Sequence, residues 1–217
     1  MIITKNFIFI HFGKSGGDKF YQLMNKYYAY DILMQCYRAD ASSQRNNNPD
    51  KHMRMEDIRK KYAQQFDLKH FDHVIGFRKL SDWVRSHNSH QLMANYKDSY
   101  TNTKKLDFVN EQSNQGKIII SNSNDNIYDS DNWLYADSAL YHALQGIICP
   151  IFIRQEKLLS DFISKITCRY YDSQNIEDNT IINSIANKYP VTIDNDKLAT
   201  MHRNNPFWSE MEERIYI

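Results

Sequence analysis

FIFIHFGKSGGDKF, residues 7–20, is a continuous β-rich apolar run that ends in a glycine-rich turn. Phe20, Leu23, Met24 and Tyr27 follow it at helical spacing. The run has the pattern of a strand buried on both faces, and the spacing after it that of an amphipathic helix. Strand, glycine turn and helix together make an anion site, because backbone N–H groups of the turn and of the helix start point at a bound phosphate. Gly16 and Gly17 permit close backbone approach. Lys14 sets an ammonium beside the anion, and Ser15 offers a hydroxyl donor. A nucleotide loop of the Gly-x-x-x-x-Gly-Lys-Ser/Thr kind would need a glycine where Ile8 stands, and here the glycines come after the lysine.

Working outward, a second short strand is expected over 72–78 and a third over 147–153, with a further short one over 117–120. Helices are expected over 53–66, 81–93, 133–146, 156–168, 178–187 and 207–214. The stretches 42–51 and 121–131 read as loops, and 96–105 is polar and poorly periodic. Strands alternating with helices predict an α/β fold, a central parallel sheet flanked by helices. No repeat or composition break marks a second domain, so residues 1–217 read as one domain.

Composition narrows the function classes. With 27 Lys+Arg against 26 Asp+Glu the net charge is +1, which argues against bulk nucleic-acid binding. The mean hydropathy of −0.68 excludes a bundle of membrane spans. The apolar run at 7–12 is too short to cross a bilayer and lacks a cleavage site, so no targeting segment is expected. Cys36, Cys149 and Cys168 are odd in number and widely spaced, predicting neither a disulfide framework nor a zinc site. The expected setting is reduced, intracellular and cytoplasmic.

Two further motifs stand in order behind the first. Val74-Ile75-Gly76-Phe77-Arg78 ends a strand in an arginine, and Ser86 follows eight residues later. A guanidinium gives permanently charged, bidentate contacts to phosphate oxygens. Arg154-Gln155-Glu156-Lys157-Leu158-Leu159-Ser160-Asp161-Phe162 leads a strand into a helix, with an acid at the helix start.

Lys14, Ser15, Gly16 and Gly17 resemble the 5′-phosphosulfate loop of sulfotransferases, usually written Pro-Lys-Thr/Ser-Gly-Gly/Thr-Thr after a strand. Residues 7–12, with His11, resemble its lead-in. Gly13 replaces the usual proline, and Asp18 and Lys19 replace the usual hydroxyl residues. Arg78 and Ser86 resemble the family's pair for the nucleotide 3′-phosphate. Lys79-Leu80 and Trp83 depart from the pattern around that pair, while Asp82 keeps its acidic residue. Residues 154–162 resemble the family's Arg-Phe-Glu-x-Leu-x-x-Asp-Phe, whose role is largely structural. The three anchors span most of the chain; the loops between them match poorly.

The resemblance implies a P-loop-like sulfotransferase fold and 3′-phosphoadenosine-5′-phosphosulfate as donor, with no metal. Residues 14–19 (Lys14, Ser15, Gly16, Gly17, Asp18, Lys19) would hold the 5′ end, and Arg78 and Ser86 the 3′-phosphate. The acceptor would be a hydroxyl, as on a saccharide. Lys14 would neutralise the leaving oxygen. Lys51-His52 resembles the Lys-His of carbohydrate-type members, where the histidine is the base. His11, His70 and His73 remain rivals for that role, with Glu56 behind them. A related nucleotide phosphotransferase and a degenerate, non-catalytic nucleotide binder stay open as alternatives.

Overall fold

The structure is a computed structural model that describes residues 1–36, 49–95, 136–171, 176, 193 and 195–217. The strand expected at 117–120, the helix expected at 178–187, the polar stretch at 96–105, the loop expected at 121–131, and most of the loop expected at 42–51 lie outside the described residues.

Five strands make one sheet: β1 Ile2–Thr4, β2 Phe7–Ile10, β3 Ile32–Gln35, β4 Asp72–Phe77 and β5 Ile151–Arg154. Their order is β3-β1-β2-β4-β5. β2, β4 and β5 run parallel, with Ile10 opposite Ile75 and Phe77 opposite Arg154. β1 is antiparallel to both β2 and β3, so the sheet is mixed where the sequence predicts a parallel one. The reason is local. Only Lys5 and Asn6 join β1 to β2, and a two-residue connection closes a hairpin but cannot make a crossover. Thr4 fastens that turn: its Oγ1 accepts from the Phe7 N–H at 2.9 Å and donates to the Phe7 carbonyl at 3.0 Å.

The β2 residues are at most 2% exposed, in keeping with a strand covered on both faces. Helix α1, Gly17–Tyr27, buries Phe20, Tyr21, Leu23 and Met24. Phe20 stacks on Phe9 of β2 at 3.9 Å and meets Phe162 edge-on at 5.4 Å. Tyr28 stacks on Tyr171 at 3.8 Å and donates to Thr167 Oγ1. Tyr28 is thus part of the core, while Tyr30 is exposed.

The remaining helices are α2 Met55–Tyr62, α3 Leu80–Asn95, α4 Ala136–Leu144, α5 Leu158–Asp161, α6 Cys168–Tyr170, α7 Asn195–Asn204 and α8 Pro206–Tyr216. The helix expected at 156–168 is a composite: a 3-10 turn Gln155–Lys157, then α5, then a π segment Phe162–Thr167, then α6. Helix α7 and strands β1 and β3 are not among the elements expected from the sequence.

The chain divides into two compact units, Met1–Arg78 with Ala143–Ile181, and Lys79–His142 with Ile182–Ile217. The first unit holds the sheet. In the second, Trp83 packs on Trp208 at 4.6 Å, and the Asp137 carboxylate accepts the N–H groups of Phe207 and Trp208 at the start of α8. Among the described residues no helix is long and apolar enough to cross a membrane. Cys36, Cys149 and Cys168 are not joined in disulfides.

Candidate functional site

The carboxyl end of β2 runs through His11 and Phe12 into a turn, and α1 starts at Gly17. Phe12 closes the turn: its carbonyl accepts from the Ser15 N–H at 3.3 Å and from Ser15 Oγ at 2.6 Å. Ser15 is 1% exposed, so its hydroxyl proton is committed to the loop's own backbone. Lys14 and Gly16 both have left-handed backbone, at φ 63° and 87°. For Lys14 that conformation carries a steric cost of about 1–2 kcal/mol, which the surrounding turn sustains. Gly16 is the N-cap of α1 and supplies no side-chain cap. The first-turn N–H groups have no carbonyl one turn back, the arrangement that favours an anion at this end.

The glycines are explained by their neighbours. A Cβ on Gly17 would stand 2.3 Å from the His11 ring, and one on Gly16 would stand 1.6 Å from Gln155 Oε1. A Cβ on Gly76 of β4 would stand 2.4 Å from the Ser15 carbonyl oxygen. This last contact is with backbone, which cannot swing away as a side chain can. Gly76→Ala is therefore expected to push the loop off β4 and cost about 1–3 kcal/mol. Chemical denaturation checks this; an unchanged midpoint would mean that the loop does not lean on β4.

Arg78 continues from β4, the parallel neighbour of β2, and its Nη1 donates to the Lys14 carbonyl at 3.3 Å. Lys14 and Arg78 thus lie together at the carboxyl ends of adjacent parallel strands, where open α/β sheets bind ligands. Lys51 approaches from the Pro49–His52 turn, its Nζ 2.9 Å from Asp18 Oδ1. The Asp18 carboxylate, half-exposed in the first turn of α1, is thereby matched by a cation rather than standing alone beside the loop. Burial lowers the Lys14 pKa; Asp18 works against that, while Arg78 and Lys51 add to it. A bound anion would relieve the same penalty.

Two histidines complete the cluster. His11 is 5% exposed, and burial, followed by the nearby His52, holds its pKa far below the ordinary histidine value. Its Nδ1 is buried with no hydrogen-bond partner among the described residues. The His52 ring lies 4.6 Å from that of His11, and its Nδ1 is 3.1 Å from the His11 carbonyl. A carbonyl only accepts, so Nδ1 carries the proton and Nε2 keeps its lone pair. Burial of the ring face lowers the His52 pKa below 6.5, partly offset by that backbone bond. The residue still keeps an exposed edge. His52 is accordingly a neutral, oriented imidazole beside Gly13, whose Cβ position lies 3.8 Å from His52 Cε1.

The rivals stand elsewhere. The His70 side chain is 83% exposed and lies 3.4 Å from Asp67. His73 is at the opposite end of β4 from Arg78, five residues or about 16 Å along the strand, with Nδ1 against the Ile148 backbone. Glu56 is exposed on α2. Lys19 is half-buried in the first turn of α1. Ser86 is buried on α3 in the second unit, as is Trp83, which serves that unit's core. Asp161 is 1% exposed and takes the Arg154 guanidinium at 2.5 Å and the Arg154 N–H at 2.8 Å. Burial would raise the Asp161 pKa, but these bonds and Lys165 outweigh it and lower it. That motif joins β5 to α5.

Gly76 and Gln155 stand inside the sequence motifs without a role there, and the structure sets both against the loop. A glycine inside an otherwise β-branched and aromatic strand was the available signal for the first; nothing local marks the second. No protein-family model, curated protein or solved structure matches the chain.

Proposed function

We propose that the chain is a sulfotransferase that moves a sulfuryl group from 3′-phosphoadenosine-5′-phosphosulfate to a hydroxyl acceptor of the saccharide kind, on a P-loop-like fold. This reading rests on the juxtaposition of Lys14 and Arg78 at the ends of neighbouring parallel strands, with α1 starting at Gly17 just past the loop. Sulfuryl transfer resembles in-line phosphoryl transfer, in which positioning and charge neutralisation supply most of the rate. The loop N–H groups hold the 5′-phosphate, Lys14 neutralises the leaving oxygen, and Arg78 reads the 3′-phosphate. His52 Nε2 takes the acceptor proton as the hydroxyl attacks sulfur and the sulfur–oxygen bond to the nucleotide breaks.

Calorimetry with 3′-phosphoadenosine-5′-phosphate tests the reading directly. Saturable binding without magnesium is expected; binding only of ATP with magnesium would favour a phosphotransferase instead. Arg78→Ala should weaken the 3′-phosphorylated nucleotide by about 1.5–3 kcal/mol and its 3′-dephospho form far less. Equal losses for both nucleotides would remove Arg78 from the 3′-phosphate.

A further inference from the structure

Asp18 stands where the resembled loop carries a hydroxyl residue, and its carboxylate faces Lys51 and His11. Its carboxylate is 2.9 Å from Lys51 Nζ and 4.0 Å from Nε2 of the buried His11. Lys51 and His52 are adjacent in the Pro49–His52 turn. That turn is tied to the loop at two side chains, Lys51 to Asp18 and His52 Nδ1 to the His11 carbonyl. The Lys51 carbonyl also accepts from the Met1 amine at 2.9 Å, which holds the backbone of the turn but does not orient the ring.

We propose that Asp18 is a positioning residue: through its ion pair with Lys51 it clasps the Pro49–His52 turn onto the start of α1 and keeps the His52 ring seated against the His11 carbonyl beside Gly13. The proposal rests on the reading of His52 as the base. An ion pair of this exposure adds little to global stability, so its consequence is local. It selects one orientation of a turn that would otherwise sample several, and a base displaced by about 1 Å can lose ~10²-fold in rate.

The test is an NMR titration of the His52 ring in the intact chain, and its sign separates position from charge. Burial lowers the His52 pKa, Lys51 lowers it further, and Asp18 raises it. With the ring held in place, Asp18→Asn would remove an anion and move the pKa down. With the clasp broken, the ring turns to water and the pKa moves up toward 6.5, the ordinary value. The expected result is a rise for Asp18→Asn, wild-type behaviour for Asp18→Glu, and no further rise when Asp18→Asn is added to Lys51→Met. An unchanged or lower His52 pKa in Asp18→Asn overturns the proposal. Binding of 3′-phosphoadenosine-5′-phosphate by the wild type is measured alongside. Its absence would sink the donor reading while leaving the titration result to decide the clasp, and the reverse pattern would sink the clasp alone.

Discussion

A folded His52→Ala variant is expected to lose ~10²–10⁴ in turnover, the usual contribution of a general base, while binding 3′-phosphoadenosine-5′-phosphate almost as the wild type does. The ring contacts the His11 carbonyl and lies beside Gly13, but it supplies no charge to the cation cluster, so the donor should scarcely register its loss. The pH profile gives an independent check. A histidine base works only when neutral, and burial lowers the His52 pKa below 6.5. Wild-type turnover should therefore persist below that value and fall as the pH drops through the pKa of the bound-state ring. In His52→Ala the limb should vanish with the activity. Full activity with the limb intact would transfer the role to another group, and His11 would be the next substitution. Its reading is less direct, because the His11 ring fills the space beside Gly17 and its loss would disturb the loop as well.

Lys14→Ala is expected to cost ~10²–10³ in turnover, the usual loss on removing one charge-stabilising donor, with the fold intact. The fold should survive because the turn is closed by Phe12 and Ser15, not by the lysine side chain. The substitution also leaves the left-handed backbone at φ 63° in place, so residual strain is common to both proteins. Rate measurements at saturating donor distinguish lost chemistry from lost binding. A folded Lys14→Ala variant with undiminished turnover would remove Lys14 from the reaction.

Much of this site is written locally. Residues 7–20 carry strand, turn and helix start within one short window, and each follows from apolar continuity, glycine placement and helical spacing. Arg78 was legible as a strand-terminal cation for the same reason. The hairpin of β1 and β2 was harder: Lys5 and Asn6 interrupt an apolar run so briefly that it reads as one strand beginning near residue 1. β3, with alternating half-buried and exposed positions, offers a weak apolar signal.

The sequence by itself determined that this chain is α/β, that a glycine turn joins a buried strand to an amphipathic helix, and that a lysine and an arginine sit just past strand ends. Those properties depend on residues within a few positions of one another, where backbone sterics and burial periodicity act. Only the tertiary structure decided which charges meet. Arg78 reaches Lys14 because β4 lies beside β2 in the sheet, and Lys51 pairs with Asp18 because the Pro49–His52 turn folds back over the start of α1. The separate environments of four histidines were decided in the same way: His11 buried, His52 seated on its carbonyl, His70 in solvent and His73 at the far end of β4. Their sequence neighbours do not distinguish them, because desolvation and charge act through space, and which groups come within a few ångströms is set by strand order and by the packing of elements distant in the chain.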